Sequence, residues 1–153
     1  MQGNVLSVER VIPSPADAIF DLLADASRHR DIDGSGSLVG AKPDAPQRLS
    51  LGATFGMSMK IGVPYSMVNT VIEFEENRRI AWQARPRGVG GRLAGGRIWR
   101  YELEPEGSGT RVRESWDVSE DKQRAVLRVI AANATKRSME QTLDRIAELT
   151  ASG

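Results

Sequence analysis

The side chains able to do chemistry in this sequence are few. Its 153 residues include one histidine, His29, and no cysteine. Thiol nucleophiles, thiolate metal sites, disulfides and multi-histidine metal centres are therefore excluded, and a Ser-His-Asp triad would depend on His29 alone. His29 lies in the run Arg28-His29-Arg30-Asp31. Two readings fit it: a ligand-contacting or acid–base imidazole, or a solvated surface histidine. Nothing in this inventory calls for a metal or a cofactor.

A second group stands further along the chain. Trp82, Trp99 and Trp116 are all of the tryptophans, in a chain with only eight aromatic residues. Tyr101 and Glu114 lie among them, and Met57 and Met59 precede them. If these side chains share a face, they make either an aromatic-lined cavity that stacks on a flat or isoprenoid molecule, or an ordinary core. The methionines would add pliable, polarizable surface to such a wall. Glu114 is the discordant member, because an unpaired carboxylate on an apolar face is costly. It could orient a ligand hydroxyl or act as an acid or base. Alternatively it forms a structural ion pair, with Arg10 as the candidate partner.

The pattern around these residues shows how they can converge. Val5 to Ile12 reads as a strand ending at Pro13. Ser14-Pro15-Ala16-Asp17 supplies a cap, a first-turn proline and an early acid for a helix over about 15–25. Residues 27–32 fit a second short helical turn, and the DGSGS run at 33–37 fits a turn rather than a phosphate cradle. From 37 to 118 the apolar pattern has period two, broken by turn signals, with Leu38–Ala41 as a weak first strand before KPDAP. Phe55, Met57, Met59 and Ile61 share one face. After a turn at residues 62–64, Val68, Thr70, Ile72 and Phe74 alternate with Asn69, Val71, Glu73 and Glu75. Ile80, Trp82 and Ala84 follow, then Trp99, Tyr101 and Leu103, then Val112, Glu114, Trp116 and Val118. Short connections require antiparallel neighbours. The strand phases turn Met57, Met59, Trp82, Trp99, Tyr101, Glu114 and Trp116 inward together. The segment PRGVGGRLAGGR, with Arg85, Arg87, Arg92 and Arg97 in or beside it, reads as a lid over the pocket, as a contact for an anionic group, or as a solvated hairpin loop. Its glycines lack dinucleotide-binding spacing and context.

No Gly or Pro interrupts residues 120–150. This predicts one continuous helix about 45 Å long, capped at Ser119, with Val126, Val129, Ala132, Lys136, Met139, Leu143, Ile146 and Thr150 on one stripe. A curved antiparallel sheet around a long terminal helix is an α+β architecture whose natural site is the space between the two. With 21 Lys and Arg against 20 Asp and Glu, the chain lacks the basic excess of a dedicated nucleic-acid binder. Neither a membrane-spanning apolar run nor the signature of a signal peptide is present, so a cytoplasmic location is expected and stable membrane insertion is not. The length suits one domain over 1–153.

Several stretches resemble the START-like helix-grip (SRPBCC, Bet v 1-like) superfamily, in its polyketide cyclase/dehydrase-type branch: VERVIPSPADAIFDLLADASRHRDIDGSG, RLSLGATFGMSMKIG, NTVIEFEENRRIAW, WRYELEPEGSGTRVRESWDVS and TKRSMEQTLDRIAEL. The resemblance covers nearly the whole chain. It implies a curved sheet of six to seven strands and a hydrophobic pocket for a polyketide-like or lipid-like molecule. The superfamily includes cyclases, lipid and isoprenoid carriers, hormone receptors and chaperone-activating modules, so a cyclase or dehydratase, a carrier or sensor, and a protein-interaction module are each implied as alternatives. The fold alone does not choose among them.

Overall fold

Seven strands account for the period-two region and its N-terminal partner: β1 (Val5–Ile12), β2 (Leu38–Ala41), β3 (Thr54–Ile61), β4 (Val63–Glu75), β5 (Arg79–Pro86), β6 (Arg97–Glu106) and β7 (Gly109–Asp117). The computed structural model describes residues 1–36, 38–41, 48–61, 63–87 and 94–151. The expectations for the KPDAP run, for Gly62 and for the centre of the glycine-rich segment (88–93) lie outside those residues. All strand pairs are antiparallel, and the sheet order is β1-β7-β6-β5-β4-β3-β2. β1 thus closes one edge beside β7, and Val8 stands opposite Glu114.

Helix α1 (Ala16–Leu23) buries Ile19, Phe20, Leu22 and Leu23. Ser14 does not cap it; the cap position is Pro15. The Ser14 hydroxyl is instead donated to Thr150 (2.9 Å), and its carbonyl accepts from the Thr110 hydroxyl (2.8 Å). Those long-range bonds tie the start of α1 to the end of the chain and remove Ser14 from the capping role. A 3₁₀ turn (Ala26–Arg28) leads into the short α2 (His29–Ile32), as the sequence suggested.

The terminal helix differs from expectation. It begins at Arg124 and is broken at Ala131 into α3 (Arg124–Ile130) and α4 (Ala132–Ala151). Asp121, not Ser119, organises its start: its buried carboxylate accepts from the Gln123 backbone N–H (2.8 Å) and meets Arg97 at 3.3 Å. On α3 the stripe is also displaced. Val126, Val129 and Ile130 are 55%, 83% and 74% exposed, whereas Leu127 and Ala131 pack on the core. Counting by fours from Leu127 through Ala131 reaches Met139, Leu143 and Ala147, all buried on α4. That row meets the expected stripe at Met139 and Leu143, and with the expected and buried Ile146 it closes the fold against β1, β7, α1 and α2. The α2–β2 turn approaches α4 so closely at Gly34 that a Cβ there would stand 2.0 Å from the Ser138 carbonyl oxygen.

β4 corrects a second expectation. Its register shifts between Val71 and Glu73. Asn69 and Val71 are therefore buried on the first half, and Phe74 packs on the core after the bulge. One extra residue in a strand reverses the face presented beyond it.

Candidate functional site

The concave face of the sheet and helix α4 enclose a cavity of about 490 Å³. This is within the size range of small-molecule pockets. Antiparallel register builds its floor as rows across the strands. Trp82 on β5 stands beside Trp99 on β6, and Trp99 beside Trp116 on β7. In the next row Ile80, Tyr101, Glu114 and Val8 are successive neighbours.

Met57, Met59, Trp82, Trp99, Tyr101, Glu114 and His29 all line this cavity. Trp116 does not. It is almost wholly buried, its ring tilted 34° from that of Trp99 with centroids 6.4 Å apart, on the part of the sheet that α4 covers. There it is core.

His29 is not a surface histidine. It is buried, its ring stacks on Trp82 (4.7 Å between centroids, 20° between planes), and Phe55 meets it edge-on at 5.5 Å. The helical spacing explains this, because His29 and Ile32 fall on one face of α2 and both turn inward. Nε2 lies 2.8 Å from the Leu23 carbonyl oxygen. A carbonyl can only accept, so Nε2 carries the proton and Nδ1 presents a lone pair. Burial holds the imidazole below its ordinary pKa, so it is neutral near pH 7.

Glu114 has no ion-pair partner among the described residues. Arg10, the expected one, reaches the other way, to Asp144 on α4. The Tyr101 hydroxyl donates to Glu114 Oε1 at 3.0 Å, and Oε2 makes no hydrogen bond among the described residues. Burial, with a smaller contribution from the negative Asp33, raises the Glu114 pKa to about 8, although the Tyr101 bond opposes the shift. Burial and the adjacent carboxyl also push the Tyr101 phenol well above its usual value. At neutral pH this wall therefore holds a neutral carboxylic acid, a neutral phenol and a neutral imidazole.

Sequence reasoning missed several lining residues. Met67 and Asn69 escaped because the β4 bulge inverts the phase counted back from Phe74. Asn69 is 6% exposed, and its amide makes no hydrogen bond among the described residues. Arg97, already singled out beside the glycine-rich segment, lines the same space and is held by the buried Asp121. The contribution of α4 (Thr135, Ser138, Met139 and Thr142) is part polar, which a purely apolar stripe does not reveal.

The family described as polyketide cyclase/dehydrase and lipid transport matches residues 5–150. The chain belongs to that family. Solved structures share its helix-grip fold. Protein CV1439 of Chromobacterium violaceum superposes with a TM-score of 0.74 at 17% identity, covering 96% of each chain. Protein NE0264 of Nitrosomonas europaea does so with a TM-score of 0.72 at 16% identity, covering 95% of this chain and 92% of its own. An uncharacterised protein of Mycobacterium tuberculosis, Rv0088, is 33% identical over 108 residues, 69% of this chain and 44% of its own length. The chain thus matches less than half of that relative. Among the described residues no helix is long and apolar enough to cross a membrane.

Proposed function

We propose that the chain binds one flat, largely apolar molecule, polyketide-like or lipid-like, in the cavity between the sheet and α4. The observation that carries this reading is the cavity itself: about 490 Å³ walled by Trp82, Trp99, Phe55 and the methionines. Aromatic faces favour offset stacking on a planar ligand, and methionines adapt to its outline. Family membership supports the same reading, since cyclases and lipid carriers both enclose an apolar substrate. Cyclisation or dehydration of a bound polyketide-type chain is the second reading, favoured by a neutral imidazole and a protonatable carboxyl in one apolar space. In that case much of the rate enhancement comes from folding and orienting the substrate chain.

Native mass spectrometry of freshly purified protein tests the first reading by detecting a copurified small molecule. Titration with planar aromatic ligands is the complement: tryptophan emission is expected to quench saturably. Unchanged emission across a broad apolar panel would contradict ligand binding. Conversion of a candidate polyketide, absent with carrier-like behaviour, separates the two readings.

A further inference from the structure

We propose that the Glu114 carboxyl group, held by Tyr101, is a hydrogen-bond donor that selects ligands carrying an uncharged carbonyl oxygen and rejects carboxylates. The inference rests on the ligand-binding reading above and adds the chemical class that the site prefers. Three features of the geometry carry it.

First, Glu114 is 1% exposed and yet lines the cavity, so the ligand space is the one medium its free oxygen can reach. Second, Tyr101 fixes the carboxyl from one side by donating to Oε1, and Oε2 has no hydrogen-bond partner among the described residues. An unused polar atom in an apolar wall is costly unless a bound molecule or water pairs with it. Third, no cation among the described residues pairs with the group; Arg97, which also lines the cavity, is held by Asp121. Of the charged groups acting on it, Asp33 is negative and opposes ionisation. Its neighbour on β1 is Val8, its other neighbour on β6 is Tyr101, and Thr135, Ser138, Met139 and Thr142, which α4 brings to the cavity, carry no charge. His29, across Trp82 from Tyr101, is itself neutral.

Such a group is a carboxylic acid at neutral pH, in keeping with its pKa of about 8. Its O–H can donate to a ketone, ester or amide oxygen. An incoming carboxylate would have to be desolvated in an apolar wall with no paired cation at that position. The neighbouring Trp82 and Trp99 would stack on the ring that bears the carbonyl.

Three probes with one ring system isolate the head group: 2-acetyl-6-methoxynaphthalene, 2-ethyl-6-methoxynaphthalene and 6-methoxy-2-naphthoate. Calorimetric affinities are measured at pH 6.5 and at steps up to pH 9.5. The ketone is expected to bind roughly ten-fold more tightly than the ethyl compound at pH 6.5, and the naphthoate more weakly than either. The ketone's advantage should fade as the pH passes about 8, while the ethyl compound is unaffected. Glu114→Leu should remove the advantage, so that the ketone and the ethyl compound bind this variant alike. Glu114→Gln, which keeps an N–H donor, should retain part of it and lose the pH dependence. The infrared stretch of the ¹³C-labelled ketone carbonyl should move to lower frequency in the wild-type complex at pH 6.5, a readout that needs no variant to fold. Equal ketone and ethyl affinities, or tightest binding of the naphthoate, would overturn the donor role of Glu114 and leave ligand binding standing. If none of the three probes binds, the ligand-binding reading falls and the proposal falls with it.

Discussion

The two faces of this sheet use the same residue types to opposite ends. On the convex face, Arg79, Glu102, Arg113 and Glu9 follow one another across β5, β6, β7 and β1 as alternating charges. Arg79 meets Glu102 at 3.2 Å, and both Arg113 and Arg111 bind Glu9. Arg100 grips Glu73 with a shortest contact of 2.6 Å. There the guanidinium hydrogen bonds hold Glu9 and Glu73 below the ordinary carboxylate pKa. On the concave face Glu114 has a tyrosine instead of an arginine and is almost wholly buried, and its pKa moves the other way. A carboxylate is stabilised where a cation and water surround it; a carboxylic acid persists where neither does. The convex face is therefore solvated support, while the concave face keeps unspent polar capacity for a bound molecule.

The largest expected effect concerns what covers the concave face. Ending the chain at Ala131 removes Met139, Leu143 and Ile146 from the core. At roughly 1.5–3 kcal/mol for each buried side chain, the loss is comparable to a typical domain's whole net stability. Cooperative unfolding should disappear. A truncated protein that still melts sharply near the parent temperature would show that the sheet does not depend on α4.

Glu114→Gln comes next, and its sign separates the two faces. Because the folded pKa of Glu114 is raised to about 8 from an ordinary value of 4.5, the folded state binds a proton that the unfolded state has released. Wild-type stability is then lost progressively as pH rises from about 4.5 to about 8. The variant escapes that loss and should be more stable by on the order of 3 kcal/mol near pH 7, with the gap closing toward pH 4.5. Chemical denaturation across this pH range reads it directly. A variant less stable than wild type at pH 7 would mean that a cation pairs with Glu114 in solution.

On the convex face the sign reverses and the size falls. Glu73, whose pKa is lowered by Arg100, contributes stability that is present above its unfolded value and is lost as pH falls through the folded one. Glu73→Gln should cost about 1 kcal/mol or less near pH 7, since solvent screens the pair, and nothing in strong acid. Smallest of all is Arg111→Ala, where Arg113 still holds Glu9. Its melting temperature should match wild type within error, and a large drop would show that the charge row acts as a cooperative network.

Much of this arrangement was legible in the sequence. Period-two runs placed the strands, and the inward phases of Trp82, Tyr101 and Glu114 agree with their burial because those strands keep their register. Asn69 was not legible, since a bulge leaves no mark in an alternating pattern that reads equally well in either phase. The partner of Arg10 was missed because Asp144 lies 134 residues away on a helix whose docking angle no strand phase reports. The burial of His29 was obscured by its charged neighbours, although Ile32 three residues later marks the same helical face. The break at Ala131 has no Gly or Pro to announce it, and the stripe through Val126 and Val129 competed with the one through Leu127.

One measurement bears most directly on the claim that the concave face is a binding site and the convex face is not. Affinity for 2-acetyl-6-methoxynaphthalene is compared among wild type, Met59→Trp, which fills the cavity, and Arg111→Ala, which alters the convex face, with melting recorded for each. The account predicts at least a ten-fold loss of affinity in Met59→Trp with melting preserved, and unchanged affinity in Arg111→Ala. Undiminished binding in a folded Met59→Trp variant, or a loss confined to Arg111→Ala, would place the ligand outside the cavity and contradict it.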